Sequence, residues 1–356
     1  MFSDRVKSSL KREFQQSLLA KVGLVLVVLI LFAAVFAPFL SLYDPDQQRI
    51  GTGDTADESE LPPWGVTYTT SQTTQVDGEI VREQTAVTGT AKYPLGTNTL
   101  GQDIYSRLLY GARVSMLVGI LGAIIAALVG VPYGLIAGYY GGNVDDGLMR
   151  GADVMLAFPS LVLAIALVGI FRETSFHTFE LPDPFVVAAR SEFVPNVLIP
   201  RADHVASMPA TITFPVTVTI VVALVNWVWF ARVARGEAYG IRSEEYVKAA
   251  RSLGGRDLTI LRKHVFPNAV TPIIVLGTIQ VAFIILLESA LSFLGFSGTD
   301  LTWGADIADG RSDQRDRWWI ATLPGVAIVL AVVGVNLLGD WLRDALDPSI
   351  QGEGGA

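Results

Sequence analysis

Cysteine is absent from all 356 residues, which excludes disulfide staples, cysteine-ligated zinc and a cysteine nucleophile together. Histidine is nearly as scarce. His177, His204 and His264 are scattered, with no His-Glu-x-x-His spacing. Charge is thin at 17% of residues, against roughly a quarter in an average soluble protein. Positive charge is the rarer sign, Lys+Arg 26 against Asp+Glu 34, for a net of -8. A basic nucleic-acid footprint has the opposite balance, so no nucleic-acid partner is expected. Other signatures are missing too: there is no Gly-x-Ser-x-Gly elbow and no Gly-x-Gly-x-x-Gly turn. Ser8 and Lys11 fit a Ser-x-x-Lys spacing, but they lie in a basic tail with no pocket in prospect. A Gly-x-x-x-x-Gly-Lys-[Ser/Thr] phosphate loop is lacking as well, so ATP-driven work needs another chain to supply the ATPase. No catalytic residue, metal ligand or cofactor site is expected in this chain.

What is present is apolar: 51% of the residues are hydrophobic and the mean hydropathy is +0.45. A helix needs about 20 apolar residues to cross a bilayer. Six windows qualify as spans: 22–43, then about 114–140, 154–171, 215–231, 268–294 and 318–339. The third is the shortest. Pro209 and Pro215 delay the fourth, whose apolar run starts at Val205. The first follows a tail with Arg5, Lys7, Lys11, Arg12 and Lys21 and is longer than a signal-peptide core, so it reads as a retained anchor. The fold class is all-α, membrane-spanning, with extended extracytoplasmic loops.

Lys and Arg beside the spans set the orientation. Residues 1–21 carry the five listed above. The loop 232–267 carries Arg232, Arg235, Arg242, Lys248, Arg251, Arg256, Arg262 and Lys263. With six spans both segments lie on the cytoplasmic side, as does the tail 347–356, which is expected to fray. Asp44 to Glu83 instead holds nine acids against Arg49 and Arg82, which places the loop 44–92 outside. A hairpin is expected there around Val76-Asp77-Gly78-Glu79. Residues 172–213, with Pro182, Pro184, Pro195, Pro200 and Pro209, read as an outer cap. An acidic outer surface suits a salt-rich environment.

The stretch from Ser243 to Pro267 is built for a partner. Ser243 is a candidate N-cap, with Glu244 and Glu245 in the first turn. Tyr246, Ala249, Ala250 and Leu253 follow the i, i+3, i+4, i+7 pattern of one helix face, and Gly254-Gly255 ends it. Asp257 is a candidate cap for a second helix with Leu258, Ile260, Leu261 and Val265, entering the fifth span at Pro267. Spacing alone allows two readings: an amphipathic loop on the membrane surface, or a small-faced helix that docks into another protein.

Several blocks resemble one family. Ala249-Ala250, Gly254 after a three-residue gap, and the ending at His264 to Pro267 resemble the EAA loop of ABC importer permeases. Tyr93 to Arg113, Gly138-Tyr-Tyr-Gly-Gly142, Asp153 to Pro159, Glu288-Ser-Ala-Leu-Ser-Phe-Leu-Gly295 and Asn336 to Pro348 resemble its dipeptide/oligopeptide/nickel branch, in the second, C-type permease. The resemblance covers roughly 93–348, interrupted near 172–213. It implies a type I permease core over 93–346, a second permease subunit, two ATP-binding subunits that bind ATP and Mg, and an extracytoplasmic substrate-binding protein. By the same resemblance the ATPase-coupling residues are Glu245, Tyr246, Ala249, Ala250, Leu253, Gly254, His264 and Pro267. Lys248 stands where the family's loop motif opens on an acid.

Within the spans, Glu288 is expensive as a bare carboxylate. It either lines the pathway, holds the sister-subunit interface, or bonds locally to Ser289. Asn226 and Asn336 read as hydrogen-bonding glue between helices. Gly119, Gly122, Ala123, Ala126, Ala127 and Gly130 read as packing surface. Trp227, Trp229, Trp318, Trp319 and Tyr139 read as interfacial belt. The competing class is an ATP-independent secondary transporter or channel subunit. That class predicts ionisable groups at mid-membrane depth and internal pseudo-symmetry, and only Glu288 answers to it.

Overall fold

The computed structural model describes residues 12–50, 58–76, 79–171, 178–189, 211–311 and 316–346. The pair Ser8 and Lys11, the turn residues Asp77 and Gly78, His177 and His204, Pro195, Pro200 and Pro209, and the tail after Leu346 lie outside them. The described chain is mainly helical. In order it comprises α1 (Leu18–Val35), α2 (Ala37–Leu40), β1 (Thr67–Val76), β2 (Glu79–Thr88), α3 (Ile104–Tyr140), α4 (Gly142–Leu156) and α5 (Ser160–Phe171). Then come β3 (Phe179–Pro182), α6 (Pro184–Ala189), β4 (Thr211–Phe214), α7 (Val216–Ile241), α8 (Glu245–Ser252) and α9 (Asp257–Ile260). A π-turn (Leu261–Val265), α10 (Phe266–Phe293), α11 (Trp303–Asp309) and α12 (Trp318–Leu346) complete it.

Five of these helices are long and apolar enough to cross a membrane: α1, α3, α7, α12 and the run Asp257–Phe293. The stretch expected as one span over 154–171 comprises the end of α4 and the whole of α5, and the two helices together form a sixth, broken candidate span bent by 86°. Pro159 explains the break. Its ring has no N–H to give the preceding turn, and it disfavours helical backbone at Phe158. At 1.5 Å per residue the 12 residues of α5 reach about 18 Å, so the crossing here is shared by the bent pair Gly142–Leu156 and Ser160–Phe171, the sixth candidate span. The first span also differs from the 22–43 window: α1 starts at Leu18, capped by the Ser17 hydroxyl, and ends at Val35, before Pro38 in the first turn of α2.

The tightest packing joins α3 to α7. Gly130, Gly134 and Gly138 repeat every four residues along one face of α3. A Cβ on Gly134 would sit 2.0 Å from the Ala231 carbonyl oxygen, and one on Gly130 2.1 Å from that of Trp227. Backbones this close admit only hydrogen at those positions, the small-residue mode of packing used between membrane helices. Farther along α3, Gly119 faces Ile285, and Gly122 faces both Val222 and Ile284, so the expected packing surface joins α3 to α7 and α10 at once.

Two small sheets mark one end of the bundle. β1 and β2 form an antiparallel hairpin with Val76 opposite Glu79, and β3 pairs with β4 with Phe179 opposite Phe214. At the other end, the basic loop 242–265 folds into the helical core. Val247, Ile260, Leu261 and Val265 share one buried cluster with Tyr139, Phe230 and Ala234.

Candidate functional site

The basic loop is a short helix held by one face. α8 begins at Glu245 with Glu244 as N-cap and no side-chain cap. The Ser243 hydroxyl, expected to cap it, donates instead to the Gly240 carbonyl at 2.7 Å. The inward residue of α8 is Val247, fully buried, which lies off the i, i+3, i+4, i+7 face. The residues of that reading point away from the core or lie at its edge: Tyr246 and Ala249 are exposed, Ala250 is half-buried, and Leu253 is 88% exposed. Leu258, 77% exposed, extends this surface. Glu245 and Lys248 are exposed as well.

Gly254 ends α8 with φ of +80°, a backbone conformation that glycine adopts without strain. The Gly255 N–H donates to the Ala250 carbonyl at 3.1 Å and the Gly254 N–H to Arg251 at 3.0 Å. That pair of bonds is a Schellman ending. A Cβ on Gly254 would meet nothing within 4 Å, so its face is open.

α3 grips the loop from beneath. The Tyr139 hydroxyl donates to Asp257 Oδ1 at 2.7 Å, and the Arg251 guanidinium lies 5.0 Å from the centre of the Tyr139 ring. Asp257, expected as the cap of the second helix, is instead the first residue of α9, after Arg256 at the N-cap position with no side-chain cap, and its carboxylate accepts from Tyr139. Tyr139 is buried, not an interfacial belt residue. Arg242 completes the grip, donating to the Tyr139 carbonyl at 3.4 Å while stacking 4.2 Å from the Tyr239 ring. Two further pairs tie α7 to α4: Arg235 to Asp145 through two bonds of 2.7 and 2.6 Å, and Arg232 to Asp153 at 2.7 Å.

The loop enters α10 through a π-turn. Pro267 removes a backbone donor in the first turn of α10, and the Phe266 N–H bonds five residues back, to Leu261. His264 lies in this turn, with its ring 6.4 Å from that of Tyr246 and its carbonyl accepting from Asn268 Nδ2 at 2.6 Å.

The residues singled out inside the spans lie apart from the loop. Glu288 is buried, 1% exposed. Ser292, one turn on, donates to it at 2.6 Å, and Ser289 at 3.4 Å. Asn226 is buried but bonds its own helix, donating to the Val222 carbonyl at 2.7 Å. Asn336 is exposed on α12. Neither asparagine donates to or accepts from a neighbouring helix among the described residues. Of the five aromatics expected as belt, Trp318 and Trp229 are exposed. Trp227 packs edge-on to Tyr133 at 4.8 Å. Trp319 is buried and donates to the Thr97 carbonyl at 3.2 Å.

The hairpin end carries a polar network that no sequence spacing announces. Asp103 caps α3, accepting from the Ser106 N–H at 2.9 Å and its hydroxyl at 2.6 Å. Ser106 Oγ in turn accepts from the N–H groups of Leu42 and Tyr43, both at 3.1 Å. Asn98 Oδ1 accepts from the N–H groups of Leu100 and Gln102. Arg107 pairs with Asp306 at 2.6 Å and donates to the Asp300 carbonyl at 2.7 Å. Burial pushes the Asp306 carboxyl up to about 6, against the opposing pull of Arg107. Arg113 holds Asp183 through two bonds, at 2.5 and 3.1 Å, which fastens the described part of the 172–213 insertion to α3.

Comparison with known proteins agrees with this architecture. The profile of the binding-protein-dependent transport system inner membrane component matches residues 130–352. That of the N-terminal TM domain of oligopeptide transport permease C matches residues 10–63. A di/tripeptide transport system permease protein of Pseudomonas aeruginosa is 32% identical over 92% of this chain and 88% of its own length. An oligopeptide transport system permease protein of Bacillus subtilis is 29% identical over 95% and 88%. A glutathione transport system permease protein of Pectobacterium atrosepticum is 36% identical over 72% and 73%. Multi-pass helices, a basic loop folded under α3 and these matches lead to one conclusion: the chain belongs to the inner membrane components of binding-protein-dependent transport systems, as a C-type permease subunit of an ABC importer.

Proposed function

We propose that this subunit imports peptides and that α8 is its coupling helix, seated in a cleft of a partner ATPase. The observation that carries this is the split of the loop into two faces. Val247, Ile260, Leu261 and Val265 are buried in the core, while Tyr246, Ala249, Leu253, Gly254 and Leu258 face outward. Large apolar side chains held rigidly at the surface mark an interaction site, and the small Ala249 and open Gly254 let a partner approach closely. Glu245, Ala250, His264 and Pro267 frame that surface. Peptides are the substrate class because relatives covered over most of their length are named as peptide permeases.

In this reading two unlike permeases form the pathway, two ATP-binding subunits sit beneath, and a substrate-binding protein docks outside. Both termini and the loop 232–267 are cytoplasmic, and the loops 44–92 and 172–213 are extracytoplasmic. Closure of the ATPases pushes on α8. Covalent continuity carries the push to α7 and α10, and the Tyr139 bond carries it to α3, so the three helices tilt together. Glu288, held by Ser292 and Ser289, fixes the outer part of α10. Asn336, exposed on α12, faces the sister permease.

Replacing Gly254 with tryptophan tests the docking. The variant complex is expected to assemble and hydrolyse ATP but to lose transport into vesicles. Transport at the normal rate by an intact Gly254→Trp complex contradicts the assignment.

A further inference from the structure

Two amide oxygens inside the membrane core have no hydrogen-bond partner among the described residues: Asn226 Oδ1 on α7 and Gln280 Oε1 on α10. Both residues are buried, Asn226 completely and Gln280 at 6% exposure. The Asn226 amide cannot be turned to escape this, because its Nδ2 already donates to the Val222 carbonyl at 2.7 Å. An orphaned carbonyl in such surroundings is costly.

The helix registers place the two residues at one level of the bundle. Val222 of α7 and Ile284 of α10 both converge on Gly122 of α3, where a Cβ would lie 3.1 and 3.2 Å from their methyl groups. α7 runs towards the basic loop and α10 runs away from it. Four residues beyond Val222 is Asn226, and four residues before Ile284 is Gln280. Each step is one helical turn in the same direction and stays on the same face. The matching residue of α3, four after Gly122, is Ala126, which is fully buried. Two orphaned acceptors and the small Ala126 thus share one level, one turn from the Gly122 contact.

We propose that the Ala126–Asn226–Gln280 junction is a hydration site that takes one water molecule, which donates one hydrogen to each amide oxygen. Water fits the chemistry because both orphaned groups are acceptors and water brings two donors, and buried waters characteristically satisfy such groups. A bridging water exchanges partners more readily than a direct side-chain bond, so this is where α7 and α10 slide against α3. That role in motion rests on the alternating-access reading above, whereas the water itself does not.

A double-mutant cycle on the assembled transporter, with Asn226→Leu and Gln280→Met, tests the site. Either single change leaves one oxygen orphaned and is expected to lower the melting temperature by about 2–4 °C. The double variant, with neither acceptor, is expected to recover most of that loss. Single changes that raise the melting temperature, or effects that simply add, overturn the site. A cryo-EM map of the complex resolving ordered water is expected to show one density peak within about 3 Å of both oxygens. A protein donor on either oxygen contradicts it. For the motion, the stable double variant is expected to transport several-fold more slowly; the wild-type rate would remove that role and leave the water.

Discussion

The Tyr139 hydroxyl donates to Asp257 at 2.7 Å, joining the end of α3 to a loop residue 118 positions later in the chain. Covalent continuity links that loop to α7 and α10, but only side chains link it to α3. Tyr139→Phe keeps the ring under Arg251 and removes the hydroxyl alone. Net losses near 1 kcal/mol are typical for one such bond, so a two- to five-fold fall in substrate moved per ATP is expected, with assembly intact. Transport and hydrolysis measured together in proteoliposomes give that ratio.

Gly254 holds φ of +80° with free space around it, so Gly254→Ala adds strain without a clash. The ending of α8 is expected to weaken by about 1 kcal/mol. Amide exchange across 250–256 in the isolated permease pair is expected to rise roughly five-fold, with α3 and α7 unchanged.

The α3–α7 contact is expected to be far less forgiving. A Cβ on Gly134 would fall 2.0 Å from the Ala231 carbonyl, so Gly134→Ala must force the helices apart. Loss of several degrees in melting temperature is expected, whereas Gly147→Ala, with nothing within 4 Å, is expected to be neutral. Thermal unfolding of the two purified variants checks the difference.

Much of this was legible in the residues. The apolar windows announced α3, α7, α10 and α12, because a bilayer-crossing helix writes its length directly into composition. The bend at Pro159 was hidden because the apolar pattern runs through it without pause. The inward turn of Val247 is hidden for a related reason: the spacing of Tyr246, Ala249, Ala250 and Leu253 describes a face but does not say which way it points. Arg107 and Asp306 lie 199 residues apart, and no local pattern reports such a pairing. The Gly130-Gly134-Gly138 stripe is written in the residues only in part, since Tyr133, Tyr139 and Tyr140 interrupt the run of small residues beyond Gly130.

The Asp306 carboxyl, raised to about 6 by burial, makes the hairpin end sensitive to pH. A raised acid binds its proton more tightly when folded, so its contribution to stability is full below the unfolded value near 3.8 and is lost as pH rises through about 6. Comparing the wild type with Asp306→Asn between pH 4.5 and 7.5 isolates it. The variant is expected to lack the decline between about pH 4 and 6 that the wild type carries. Superimposable pH curves for the two would remove Asp306 as the titrating group.

The acidic stretch 44–83 carries nine acids against two bases, and mutual repulsion there weakens as salt screens it. The complex is expected to melt higher in molar salt than in dilute buffer; the reverse order would separate this acidity from salt adaptation.

The central claim, that α8 presents Leu253 and Gly254 to an ATPase, has a direct measurement because the chain has no cysteine. Leu253→Cys creates a single thiol on an 88% exposed position. In the assembled, ATP-hydrolysing complex it is predicted to cross-link to the ATP-binding subunit through a short bifunctional reagent, and nucleotide binding is predicted to change the yield. A complex that hydrolyses ATP normally yet never cross-links at Leu253→Cys to that subunit would contradict the account.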